Sequence, residues 1–172
     1  MAGLGASEAI DNGKAMSAQV IPETSIRPMQ AADLNGVESV EQTAYDYPWS
    51  RAVFRDCLLA GYYSLVLDAG GKVSGYAIMS IAAAEAHILN LCIYPDLRRL
   101  GYGRRLLNAL LFKAQDTLVK QVFLEVRPSN RPAMKLYHSA GFEEIGIRPA
   151  YYQAREGREN AVVLSLSLTS SS

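Results

Sequence analysis

The stretch "RRLGYGRR", residues 98–105, decides how this chain is read. Four arginines frame Gly101 and Gly103, in a chain whose 17 Lys+Arg and 17 Asp+Glu otherwise cancel. Just upstream, "AHILNLCIYP" (86–95) is an apolar run with strand character. Just downstream, "GRRLLNALLFKAQDTL" (103–118) sets Leu106, Leu107, Leu110, Leu111, Ala114 and Leu118 on one helical face. The stretch is therefore a loop between a strand and a helix. The first turn of a helix offers unpaired N–H groups and a partial positive charge. Two glycines let a ligand approach that backbone. Arg98, Arg99, Arg104 and Arg105 can add charge-assisted bonds. Together these features make a cradle for a pyrophosphate. A P-loop is excluded because no GxxxxGK[ST] is present. A dinucleotide fingerprint is excluded because Leu106 stands where a third small residue belongs. A solvated basic helix start, with glycines only for turning, is the plainer alternative.

Working outward, "TSIRPM" (24–29) reads as a strand, and Leu34, Val37 and Val40 stripe a helix over 31–44. Pro48 breaks the chain at "YPWS" (47–50), and Ser50 is placed to cap a helix over 51–60 that Gly61 ends. Strands over 62–68, 72–82 and 86–95 form a meander with glycine and polar turns. After the central helix come a strand over 121–128 and a helix over 131–140, with Pro132 in its first turn. Two last strands lie in "FEEIGIRPAYY" (142–152) and "NAVVLSLSL" (160–168). The order predicts an α/β fold: one mixed sheet with helices on its faces, in one domain over 25–168. Residues 1–24, rich in Ala, Gly and Ser, read as a mobile tail, and 169–172 as a polar fray.

Composition narrows the function. A chain of 172 residues with 49% hydrophobic content can bury a good core. Zero net charge argues against a bulk nucleic-acid binder. No apolar run is long enough to span a membrane, and the first residues lack the basic and apolar regions of a secretory signal. Two cysteines, Cys57 and Cys92, fit a reducing cytoplasm better than a disulfide framework. His87 and His138 have no partners at metal-ligand spacing, so no metal is expected.

"RRLGYG" resembles the Q/R-x-x-G-x-G/A motif of the GNAT N-acetyltransferases, which hold the pyrophosphate of acetyl-CoA. The blocks "YPWS", "LNLCIYPDLRRLGYGRRLL", "LEVRPSNRPAMKLYHSAGF" and "GRENAVVL" are similar to those of the RimI-like branch, which acetylates the N-terminal alanine of a small-subunit ribosomal protein. They follow in order across about residues 25–168. The resemblance implies a GNAT fold: a mostly antiparallel sheet of six to seven strands flanked by about four helices. It implies acetyl-CoA as co-substrate, held by Arg98, Arg99, Leu100, Gly101, Tyr102, Gly103 and Arg104, with Asn130 in contact. It further implies that strand 86–95 splays from its neighbour, and that Leu91, Cys92 and Ile93 border the pantetheine arm. The backbone N–H of Leu91 or Ile93 would then face the thioester carbonyl. The protein partner implied is the N-terminal segment of an acceptor, with no nucleic acid or membrane.

Amine acetylation needs a base for the amine and an acid for the departing thiolate. Glu125 is a lone carboxylate in the apolar run "VFLEV"; burial there would raise its pKa, while a salt bridge to an arginine or a wet edge is the alternative. Tyr137, on helix 131–140, should face the sheet as a core aromatic or as an acid. The resemblance makes Glu125 the base and Tyr137 the acid. Cys92 reads as a small core residue rather than an acetyl-carrying nucleophile. Tyr47, Trp49, Tyr151 and Tyr152 match segments that surround an acceptor peptide, and Glu143, Glu144, Glu156 and Glu159 could attract a basic one. Tyr94, and Asn160 in "GREN", depart from the acidic residues common in the branch. A GNAT acting on another amine, and a non-catalytic acyl-CoA-binding module, are the rival readings.

Overall fold

The computed structural model describes residues 22–169, so the readings of the tail and the terminal fray fall almost wholly outside the described residues. Seven strands form one sheet in the order β1-β2-β3-β4-β5-β7-β6. They are β1 (Thr24–Pro28), β2 (Tyr63–Ala69), β3 (Lys72–Ala82), β4 (Glu85–Ile93), β5 (Gln121–Val126), β6 (Glu143–Gln153) and β7 (Arg158–Ser167). Every pairing is antiparallel except β4 with β5. A parallel pair needs a crossover, and helix α3 (Tyr102–Asp116) supplies it. Helices α1 (Leu34–Ala44) and α2 (Arg51–Leu59) complete the front half, and α4 (Arg131–Ser139) follows β5.

Strand alternation divides the core between the two faces of the sheet. On one face Leu106, Leu107 and Leu110 of α3 and Tyr137 of α4 pack on Ile88, Val122, Leu124 and Leu164. On the other, Leu34, Val37 and Val40 of α1 and Phe54 of α2 pack on Val66, Tyr76 and Ile78. Among the described residues no helix is long and apolar enough to cross a membrane.

The sequence misplaces several ends for local reasons. Residues 31–33 form a 3-10 turn before α1, clipped by hydrogen bonds between Gln30 and Asp33. Ser50 occupies the cap position of α2, but its side chain makes no capping bond. Instead the Glu38 carboxylate of α1 accepts from Arg51 N–H at 2.6 Å, because a charged acceptor outcompetes a hydroxyl. The β2–β3 hairpin turns on Gly70 and Gly71, both at positive φ, as expected. The β3–β4 turn uses no glycine or polar residue; Ala83 itself adopts φ +55° between the paired ends Ala82 and Glu85. Strand β4 stops at Ile93 rather than Pro95, and a 3-10 turn (Pro95–Leu97) leads into the loop.

Candidate active site

Strands β4 and β5 pair only from Glu85/Gln121 to Ile88/Leu124. Beyond that point they part. The register of β4 on β3 slips there as well: Met79 faces Ile88 and Ile78 faces Asn90, so Leu89 is an extra residue. A bulge bends its strand and breaks pairing, and here it opens a wedge between the two strands. Alternate residues of an antiparallel strand turn their backbone groups to the same neighbour. Tyr94 N–H bonds Ser74 O of β3 at 2.8 Å. By alternation Cys92 serves β3 as well, and Leu91 and Ile93 turn toward the wedge. Cys92 is therefore not brought to the wedge by its backbone, and its thiol lies in the α1/α2 core. Burial, with Glu41 nearby, pushes that thiol up to about 11.

The arginine–glycine loop sits at the open end of β4. Gly101 is the N-cap of α3 in the left-handed region, φ +84°. The first helical bond runs from Arg105 N–H to Gly101 O at 3.1 Å. The N–H groups of Tyr102, Gly103 and Arg104 thus have no acceptor within the helix. A Cβ on Gly103 would meet its nearest neighbour, Leu136, at 3.5 Å, an ordinary contact. Packing within the protein therefore does not demand glycine there. The arginines are used unequally. Arg98 turns back to Ile93 O at 3.4 Å, Arg104 bonds Ser139, and Arg105 bonds Thr24 at 2.8 Å. Arg99, at φ +64°, has no side-chain partner among the described residues. Leu100 is exposed and Tyr102 is buried under Arg105. The loop thus sets three unpaired helix N–H groups and the Arg99 side chain together at the start of α3.

A cleft of about 860 Å³ runs along the wedge, and Glu125, Tyr137, Asn130, Leu91, Tyr47, Trp49, Tyr151 and Tyr152 all line it. Asn130 caps α4, accepting from Ala133 N–H at 3.3 Å. Tyr137 is buried, its ring edge-on to Phe142 at 5.7 Å. Burial, then neighbouring Tyr152 and Cys92, pushes its hydroxyl well above the ordinary tyrosine value. It is held protonated. Trp49 packs on Phe54 at 5.4 Å, while Tyr47 is exposed. Across the cleft Tyr151 and Tyr152 meet edge to face at 4.9 Å, and Arg127 lies over Tyr152 at 4.4 Å.

Glu125 is not the lone carboxylate that the sequence suggested. Its Oε2 lies 2.5 Å from His87 Nε2, and its Oε1 lies 3.3 Å from Arg148. The salt bridge weighed as the alternative thus exists, inside the cleft. Sequence reading missed both partners. One signal was present: His87 and Glu125 both stand between apolar residues that face the other way, Ala86/Ile88 and Leu124/Val126. Arg148 gave no such signal, since every residue around it on β6 is exposed.

Glu41 was also missed. It is a buried carboxylate on α1 that accepts from Trp49 N–H at 3.0 Å, Asn90 at 3.3 Å and the Tyr76 hydroxyl. It fastens the "YPW" loop to β4 beyond the bulge. Of the four glutamates considered as bait for a basic peptide, only Glu159 lines the cleft. Its carboxylate is occupied by Arg127 at 3.3 Å and Ser129 N–H at 2.9 Å. Asn160 accepts from Ala150 N–H at 2.9 Å, which suits an amide as well as a carboxylate. Tyr94 lies under Lys72 at 5.3 Å, away from the cleft lining. Among the described residues no cluster of three or more His, Cys, Asp or Glu could hold a metal.

Residues 30–142 match the acetyltransferase (GNAT) family. The [ribosomal protein bS18]-alanine N-acetyltransferase of Escherichia coli is 35% identical over 145 residues, 84% of this chain and 98% of that protein. The chain belongs to the RimI-like GNAT acetyltransferases. The Haemophilus ducreyi protein of the same name is 37% identical over 137 residues, 79% of this chain and 94% of its own. The crystal structure of the Escherichia coli enzyme superposes with a TM-score of 0.82 at 34% identity, covering 87% of this chain and 97% of that one. Structural neighbours below 25% identity share the fold, and one is described with acetyl-CoA bound. The expected α/β GNAT fold, with seven strands and four α-helices, is the fold found. This chain is an N-acetyltransferase.

Proposed function

We propose that this enzyme moves the acetyl group of acetyl-CoA to a protein N-terminal α-amine, and that the acceptor is an alanine-starting small-subunit ribosomal protein in the cytoplasm. One observation carries the reading. The wedge between β4 and β5 opens into an aromatic-walled cleft lined by both Glu125 and Tyr137, and the loop leaving the end of β4 carries the unpaired N–H groups that start α3. Acetyl-CoA supplies an activated acyl group on a thiol that leaves easily. This chain's residues bind, orient and move protons. The α3 N–H groups and Arg99 hold the diphosphate, and Asn130 borders the same path. The N–H of Leu91 or Ile93 polarises the carbonyl. Glu125 takes the amine proton, and Tyr137 gives one to the departing sulfur. An α-amine, with pKa about 8, needs only a modest base, whereas lysine at about 10.4 needs a stronger one.

The similarity to alanine N-acetyltransferases supports the acceptor. The test is acetyl transfer to free Ala-Arg, Ser-Arg and Met-Arg peptides beside an N-blocked lysine peptide. Transfer to the Ala-Arg peptide alone is expected. Transfer to the blocked lysine peptide would overturn the α-amine assignment. Glu125→Gln should lower kcat by about 100-fold or more while acetyl-CoA still binds.

A further inference from the structure

We propose that His87 is the second half of the base: a positioning and relay residue that receives through Glu125 the proton released by the acceptor and passes it to solvent. This rests on the reading of Glu125 as the base. The geometry is specific. His87 of β4 is directly opposite Phe123 of β5, two residues before Glu125, on the last rungs before the strands part. Side chains two apart on a strand share a face. The two groups therefore meet across the mouth of the wedge, Nε2 to Oε2 at 2.5 Å. Their exposures differ in the useful direction. The Glu125 side chain is 11% exposed and that of His87 is 35% exposed. A proton left on Glu125 inside the cleft has no direct way to bulk water once an acceptor peptide covers it. The imidazole has one nitrogen on the carboxylate and keeps about a third of its side-chain surface exposed.

The remaining charges leave that task to His87. Arg148 of β6 lies 3.3 Å from the other carboxylate oxygen, Oε1. A guanidinium holds its protons at any working pH, so it orients the carboxylate and accepts nothing. Glu41 of α1 is bound to Trp49, Tyr76 and Asn90. Glu159 of β7 is bound to Arg127 and Ser129. Asp46 and Arg155 face each other at 3.8 Å at the cleft mouth. Tyr137 of α4 and Tyr152 of β6 are held protonated by burial. His87 is the ring in direct contact with the proposed base.

The proton balance closes. An N–H bond of the α-ammonium breaks and an O–H bond forms on Glu125. That O–H breaks as an N–H forms at Nε2 of neutral His87. The imidazolium then loses its Nδ1 proton to water, and tautomer exchange through water moves the proton from Nε2 back to Nδ1 before the next turnover. One proton travels from ammonium to solvent, and the ring ends neutral.

The experiment measures kcat, KM and their pH profiles for the full chain, with acetyl-CoA and an Ala-Arg peptide, in wild type, His87→Gln, His87→Ala and Glu125→Gln. Glutamine keeps a hydrogen-bond donor for Glu125 but carries no proton. Both His87 variants should lose about tenfold or more in kcat with KM for acetyl-CoA unchanged. The pH profile of kcat should change in both, because the group that hands the proton to water is gone. Added imidazole should restore kcat to His87→Ala. If His87→Gln keeps wild-type kcat and pH profile while Glu125→Gln is inactive, the relay is wrong and the base stands. If Glu125→Gln turns over like wild type, the base reading fails and takes the relay with it. Thermal melts of each variant separate these outcomes from unfolding.

Discussion

In the proposed mechanism Tyr137 serves packing and chemistry together. Its ring is locked against Phe142 in the core under α4, so the hydroxyl has little freedom of position. Burial raises its pKa, which makes it a weaker acid. In that mechanism the departing sulfur would share these apolar surroundings, where a thiolate is penalised as well, so the proton still has somewhere to go. Tyr137→Phe keeps the ring and removes the proton. It should leave the melting temperature within a few degrees and reduce kcat by roughly 100-fold, read in a steady-state assay. Glu41 is a different case. Burial raises its pKa above the ordinary value near 4.5, against the hydrogen bonds from Trp49, Tyr76 and Asn90 that lower it. The folded state therefore holds this proton more tightly than the unfolded chain does. Its contribution is fully present below pH 4.5 and is lost as pH rises through the raised value. Glu41→Gln should flatten the dependence of unfolding free energy on pH above 4.5, measured by denaturant titration across pH 4.5–8. An unchanged slope would mean that another group sets it.

At the scale of elements, the two glycines of α3 do different work. Gly101 is required by its backbone, since φ +84° strains any residue with a Cβ. Gly103 is helical and tolerates a Cβ as far as the protein is concerned. Gly101→Ala should therefore lower stability by about 1–2 kcal/mol. Gly103→Ala should keep or slightly raise stability, because alanine is the better helix former. Yet it should weaken acetyl-CoA by tenfold or more, read by calorimetry, since its methyl group stands where the diphosphate approaches. Equal affinities for wild type and Gly103→Ala would remove the diphosphate from this loop. The loop was legible in the sequence because its chemistry is local: glycines, arginines and a strand-to-helix switch within eight residues. Most element spans were legible for the same reason. What could not be read was register. The bulge at Leu89 and the early end of β4/β5 pairing depend on which residues face one another across strands. So do the contacts of Glu125 with His87, 38 residues away, and with Arg148. Glu41 looked like one more polar position on a striped helix until Trp49, Tyr76 and Asn90 closed around it.

At the scale of the whole molecule, the sheet is one object with a flaw built into its middle. Apart from local register shifts its pairing extends along β1 to β4 and from β5 through β7 to β6, but the two halves share only the pairs from Glu85/Gln121 to Ile88/Leu124. The core under α3 spans the junction and holds the halves together, joining Leu65, Ile88 and Ile93 on one side to Val122, Leu124 and Leu164 on the other. The core under α1 and α2 belongs to the first half. A ligand laid in the wedge replaces missing rungs, since Leu91 and Ile93 turn their backbone groups toward it and α3 offers its N-terminal N–H groups. It binds the folded state alone, so acetyl-CoA at about 100 times its dissociation constant should add about 2.7 kcal/mol. For a chain of this size that raises the melting temperature by roughly 5–10 °C. CoA should do nearly as well, because the diphosphate and the pantetheine arm rather than the acetyl group fill the gap. A thermal-shift series across wild type, Gly103→Ala and Tyr137→Phe makes the test. The shift should survive Tyr137→Phe and fall to about half or less in Gly103→Ala. A full shift in Gly103→Ala would show that the ligand stabilises the fold without reaching α3, and the wedge would lose its place as the cofactor path.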